Sequence, residues 1–307
     1  MFSLDLGGSF VRCRSRGEVI RTSPANGAPM ISIATDYVQG TGNPYPYLQA
    51  IAEAGFTHIH WCHQWNTDFL YATPEIDQIE RWLDELGLKV TDLHASAGRE
   101  KAWASVREYE RLAGVELVAN RMEMTARLGS DAIVLHFPGE LAEEPVAVDH
   151  WDAMWRSAEA LAQHSQATGV RIAFENLSPS GSWRPIAAVL SEYGPEVAGL
   201  CYDSGHGNIS GDGLDQLATH ADRLIAIHLH DNDASGDQHK LPFMGTIDWD
   251  RLVGLIAGSS YEKWVNVEVS QERSGYEDTA TFLRDARAVA LRLTDAIDAC
   301  REEDANA

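Results

Sequence analysis

The chain has 307 residues, enough for one large domain or two ordinary ones, and its 44% hydrophobic and 23% charged composition is that of an ordinary globular protein. Its 24 basic and 46 acidic residues leave a formal charge of −22, a mean field that repels a phosphate backbone and argues against nucleic acid as a partner. No run approaches the roughly 18 apolar residues of a membrane span, so no membrane role is expected.

From Met30 onward, short apolar runs alternate with amphipathic windows, a pattern that predicts parallel strands joined by helical crossovers. Strand one is expected at 30–37, followed by a helix at 47–54 that Gly55 closes. Strand two at 57–62 leads to a helix at 74–86, opened by Pro74 and stopped by Gly87. Strand three at 88–94 precedes a long helix at 102–128, and strand four at 132–136 precedes a helix at 151–168 ending at Gly169. Strand five at 170–177, a helix at 185–193, strand six at 197–203 and a helix at 213–221 follow. Strand seven starts at Leu224; a helix at 248–258, strand eight at 264–269 and a helix at 278–302 complete eight strand–helix pairs.

No linker divides these pairs, so residues 29–307 are expected to form an α/β, single-domain (β/α)8 TIM barrel. Residues 1–28 carry Arg12, Arg14, Arg16 and Arg21 without an apolar stretch of secretory-signal length. They read as a loose leader, and an upstream start codon ahead of Met30 is the other account of them. Cys13, Cys62, Cys201 and Cys300 show no paired spacing, which predicts buried free thiols in a reducing cytoplasm.

Strand seven runs Leu224-Ile-Ala-Ile-His228-Leu-His-Asp-Asn232, with Asp237-Gln-His239 after it, and so ends in a dense set of metal-capable groups. Other strands end at His94, His136, Glu175 and Asp203/His206, and the last carries Glu268. Side chains two apart share a face of a strand, so Glu175 sides with Ala173, Asp203 with Cys201, His228 with Ala226 and Glu268 with Asn266. Small or polar inward neighbours leave room for an ion, where a packed barrel floor would want Val, Ile or Leu. Two Glu, one Asp and one His form an oxygen-rich set suited to Mn²⁺, Mg²⁺, Co²⁺ or Zn²⁺, and one such divalent metal is the expected cofactor.

Ala173-Phe-Glu-Asn176, Tyr202-Asp-Ser-Gly-His206, His228-Leu-His-Asp231, Asp237-Gln-His239, Gly245-Thr-Ile-Asp-Trp249 and Val267-Glu268 resemble the xylose isomerase-like TIM-barrel superfamily, over roughly residues 30–295. That superfamily contains sugar isomerases and epimerases, inositol-catabolic enzymes and endonuclease IV. The resemblance to its epimerases implies that Glu175, Asp203, His228 and Glu268 hold one divalent metal and that His206 contacts the substrate. It implies further that Glu175 and Glu268 move a proton through a metal-stabilised enediolate of a small sugar or polyol derivative. The same proton abstraction followed by β-elimination would make the enzyme a lyase or dehydratase of an oxidised sugar. Resemblance to endonuclease IV implies instead up to three zinc ions and phosphodiester hydrolysis, with His94, His136, His206, Asp237 and His239 as additional ligands. The motif places its ligand three residues before the aspartate, which selects His228 over the neighbouring His230. A homo-oligomer is compatible with this family.

Substrate contacts are expected from His60, where the sequence departs from the inward glutamate of many relatives, and from Trp61; Trp61 and Trp65 are read either as large core aromatics or as an apolar wall for a sugar ring. Arg184 and Lys240 fall in loops after strands five and seven and are expected to orient a substrate oxyanion. The partner this predicts is a small-molecule carbohydrate.

Overall fold

The computed structural model describes residues 30–38 and 42–305. The expected leader at 1–28 lies outside the described residues. Eight short strands alternate with helices: β1 (Ile31–Ala34), β2 (His58–Trp61), β3 (Lys89–His94), β4 (Ala132–Leu135), β5 (Arg171–Glu175), β6 (Ala198–Asp203), β7 (Leu224–His228) and β8 (Val265–Val267). The helices are α1 (Tyr45–Glu53), α2 (Thr73–Leu86), α3 (Glu108–Arg127), α4 (Val148–Thr168), α5 (Trp183–Glu192), α6 (Ser204–Ser210), α7 (Gly213–His220), α8 (Trp249–Ala257) and α9 (Thr279–Ala305). Every neighbouring strand pair from β1 to β7 is parallel, and β1 also pairs with β8. A parallel bridge between Leu229 and Val267 brings β7 against β8 and closes the barrel.

Alternation along the strands sorts the core into two layers. Ile31, Ile33, Ile59, Leu93, Ile133, Leu135, Phe174, Leu200, Ile227 and Val267 point outward, buried against the helix ring in the main apolar core. Each such side chain stabilises the fold by about 1.5–3 kcal/mol through its removal from water. Inside the barrel lies a smaller cluster that includes Ala132, Val134, Ala173, Cys201 and Ala226. These small side chains leave the axis open above them, where the strand ends carry their polar groups.

Local signals set the helix ends: α2 and α4 stop at Gly87 and Gly169, both left-handed, with φ of 66° and 73°. Two elements differ from expectation. The long helix begins at Glu108 instead of 102, because segment 102–103 folds back against α3; a Cβ on Gly114 would lie 2.2 Å from the Trp103 backbone nitrogen. The helix α6, in a Gly-rich stretch that reads as loop, is nucleated by Asp203, whose Oδ1 accepts the His206 amide at 2.6 Å. Cys62 and Cys201 are free and buried, as expected. The free-thiol expectation fails at Cys300, which is disulfide-bonded. Among the described residues no helix is long and apolar enough to cross a membrane.

Candidate metal centre

Four strands deliver the expected ligand set to the C-terminal mouth of the barrel. Glu175 ends β5, Asp203 ends β6, His228 ends β7 and Glu268 follows β8. Each of the four offers a donor atom, and these atoms all lie within 4.8 Å of one another with every residue buried. His228 Nδ1 faces Glu268 Oε2 at 3.0 Å and Glu175 Oε2 at 3.4 Å. The His228 ring is wholly buried, yet neither of its nitrogens has a hydrogen-bond partner. Buried polar atoms are almost always satisfied, so an orphaned imidazole among three carboxylates fits a cation ligand.

Burial opposes charge on Glu175, but His228 and His136 beside it hold its carboxyl well below the usual range. Burial likewise opposes ionisation of Glu268, and His228 outweighs it. The His228 imidazole is driven well above its ordinary value despite burial, by Cys201, Glu268 and Glu175. Positive charge beside Glu175 and Glu268 thus offsets the cost of burying them ionised.

The additional imidazoles surround this set. His136 Nε2 donates to Glu175 Oε2 at 3.0 Å, and His94 Nε2 stands 3.7 Å from the same oxygen. Burial, then His136, lowers the His94 pKa to about 3. On the other flank, His206 Nδ1 donates to the Asn176 carbonyl at 3.0 Å, and its Nε2 lies 3.7 Å from Asp237 Oδ2. His239 Nε2 donates to Asp237 Oδ2 at 2.9 Å, and the Asp237 interaction, against burial, raises the His239 pKa to about 9. His230 contacts Asp203 Oδ2 at 3.0 Å and stacks on His239 at 4.1 Å. It thus braces Asp203, while His228 occupies the place among the carboxylates.

A cavity of about 580 Å³ opens beside the centre, within the range of small-molecule sites. Glu268, Asp237 and His239 line it together with Trp65, Gln64, Asn66, Asp36, Tyr47 and Arg273. Trp65 is the aromatic wall, its ring 4.5 Å from His94 and 5.6 Å from His136. Asp36 and Arg273 come from the loops after β1 and β8 and carried no motif that marked them in advance.

His60, Trp61, Arg184 and Lys240 do not line this cavity, and for Trp61 it is the core reading that holds. His60 faces inward but lies below the mouth, fully buried, with Nδ1 donating to Asp92 Oδ1 at 2.5 Å. Trp61 points out of the barrel into the main core, where its indole N–H donates to Tyr71 Oη at 3.0 Å. Arg184 is engaged by the Glu144 carboxylate and the Glu143 carbonyl. Lys240 pairs by its backbone with Asp231 and lies 3.9 Å from Asp233 Oδ2.

Comparison with known proteins agrees with this architecture. Residues 48–286 match the family described as xylose isomerase-like TIM barrel. Over 286 residues the chain is 32% identical to the uncharacterized protein y4fM of Sinorhizobium fredii (strain NBRC 101917 / NGR234), covering 84% of this chain and 91% of that protein. Inosose dehydratase of Salmonella agona (strain SL483) is 23% identical over 146 residues, 41% of this chain and 48% of that enzyme. Among solved structures, the apo form of 3-keto-D-glucoside 4-epimerase, YcjR, from E. coli superposes with a TM-score of 0.67 at 21% identity, covering 86% of this chain and 99% of that one. At that identity the likeness is one of fold.

Proposed function

Since the chain belongs to the xylose isomerase-like TIM-barrel family, we propose that it is a divalent-metal-dependent isomerase or epimerase of a small keto-sugar or polyol derivative. The observation that carries this reading is the buried set Glu175, Asp203, His228 and Glu268, with His228 Nδ1 facing both glutamates at 3.0 and 3.4 Å. The donor types fit Mn²⁺, Mg²⁺, Co²⁺ or Zn²⁺ held by these four residues. When bound, the ion supplies the positive charge that stabilises the oxygens of an enediolate.

The remaining chemistry belongs to the chain. Glu268 lines the cavity and is the carboxylate placed to take a proton from the carbon next to the substrate carbonyl. Glu175 lies deeper, ringed by His94, His136 and His206, and returns a proton from the other side in an epimerisation. An isomerisation needs only one face. His206, anchored through Nδ1 to Asn176, directs Nε2 toward the Asp237 side and donates to a substrate oxygen. Trp65 covers the sugar ring and keeps water from the reacting carbon. The same abstraction followed by loss of a β-hydroxyl gives a dehydratase, the reaction named for the inosose dehydratase relative.

A second reading rests on two further donor groups: His94, His136 and Glu175, and His206, Asp237 and His239. Together with the central four they would hold up to three zinc ions and suit phosphodiester hydrolysis.

The test is incubation of the Mn²⁺-supplemented protein with ketohexoses, keto-glycosides and keto-inositols in D₂O. NMR wash-out of the C–H next to the carbonyl is expected with at least one class and is lost in Glu268→Gln. No exchange with any of them, together with cleavage of a model phosphodiester, would replace this reading with the second.

A further inference from the structure

Directly beneath the proposed metal ligands, the barrel floor holds a hydrogen-bonded imidazole–carboxylate pair where apolar side chains would ordinarily fill the layer. Asp92 on β3 and His60 on β2 are both fully buried, and His60 Nδ1–H donates to Asp92 Oδ1 at 2.5 Å. Burial opposes the Asp92 charge, but His60 beside it keeps the carboxyl below its usual range. The opposite edge of the His60 ring, with its unpartnered Nε2, is buried as well.

The His60 ring packs on the His228 ring edge to face, with centroids 4.4 Å apart and planes at 63°. It also meets the His94 ring at 5.8 Å and 65°. His228 turns Nδ1 to Glu175 and Glu268, and apart from the weak Cys201 thiol its Nε2 has no hydrogen-bond partner to fix the plane of the ring. A metal-bound histidine is normally held by a hydrogen bond from its other nitrogen to a carboxylate or carbonyl. Here the Cys201 thiol, a weak hydrogen-bonding group, stands beside His228, as do Asp92 and the rings of His60 and His94, the His60 ring being the nearer of the two.

We infer that the Asp92–His60 pair is the positioning device of this metal centre: Asp92 fixes the His60 ring, and the His60 ring fixes the plane in which His228 presents Nδ1. This inference rests on the proposed metal centre and gives its floor a role that no motif assigns. His60 acts through His228 and does not touch the substrate.

The experiment measures Mn²⁺ and Zn²⁺ affinity by chelator competition, and the visible absorption of the Co²⁺-loaded protein, for wild type, Asp92→Asn and His60→Gln. Both variants are expected to bind about 10–100-fold more weakly and to shift the Co²⁺ bands, a signature that a purely structural role would leave unmoved. Variants that match wild type in affinity and in Co²⁺ spectrum overturn the inference while the metal centre stands. A wild type that takes up no divalent ion overturns the proposed function and this inference with it. If Asp92→Asn does not fold, the double variant Asp92→Leu/His60→Leu, which removes the ring, carries the same two readouts, because replacing a buried polar pair by apolar groups of similar volume is commonly tolerated.

Discussion

His58 gives a direct test of how the barrel interior responds to acid. It sits on β2, 5% exposed, with its ring 3.7 Å from Trp264 and Nδ1 bonded to Thr57 Oγ1 at 2.8 Å. Burial, aided by Lys89, lowers its pKa from 6.5 to about 4. The unfolded chain therefore takes up a proton that the folded chain refuses. Stability is unaffected well above pH 6.5 and is lost as the pH falls from there toward 4. At 1.36 kcal/mol per pKa unit the full loss is about 3 kcal/mol, and about 2 kcal/mol of it is reached by pH 5. His58→Gln removes the titration. Reversible urea unfolding of both proteins at pH 7 and pH 5 gives a difference of differences in which other buried groups such as His94 cancel. Wild type is expected to lose about 2 kcal/mol more than the variant between the two pH values. Equal losses would refute the assignment of a buried neutral imidazole at this position.

Three further outcomes follow from the same geometry. A Cβ on Gly205 would lie 2.0 Å from His230 Cε1, so Gly205→Ala should cost about 1–3 kcal/mol by overpacking; thermal unfolding that matches wild type would contradict it. Trp65→Ala strips the cavity wall and should raise KM far more than it lowers kcat once a substrate is known, whereas an unchanged KM would remove Trp65 from the binding site. Dialysis against a strong chelator should lower Tm, and restoring ion at about 100 times its Kd should return about 2.7 kcal/mol of stability; identical melting with and without ion would mean that folding does not form the site.

How far the site was readable before the structure depends on what a strand pattern encodes. Period-two alternation together with position at a strand end placed Glu175, Asp203, His228 and Glu268 on one inward ring, and the structure brings those four together. The same rule separates adjacent residues. His60 and Trp61 cannot both face the axis, and the structure sends Trp61 to the outer core. Alternation states a face and not a depth, so His60 is inward yet lies beneath the mouth. Loop residues carry no such rule: Arg184 is taken up by Glu144, whereas Asp36 and Arg273, which nothing singled out, line the cavity. The helix α6 was hidden because its Gly-rich sequence has low helical propensity, and a single cap from Asp203 supports its first turn.

Metal content per chain separates the proton-transfer enzyme from the hydrolase. Elemental analysis is made on protein purified without a metal-affinity tag, and on His94→Ala and His136→Ala. One Mn, Mg, Co or Zn ion per chain, unchanged by either substitution, is expected of the four-residue centre. Two or three zinc ions per chain, reduced by either substitution, would contradict it and favour the hydrolytic reading.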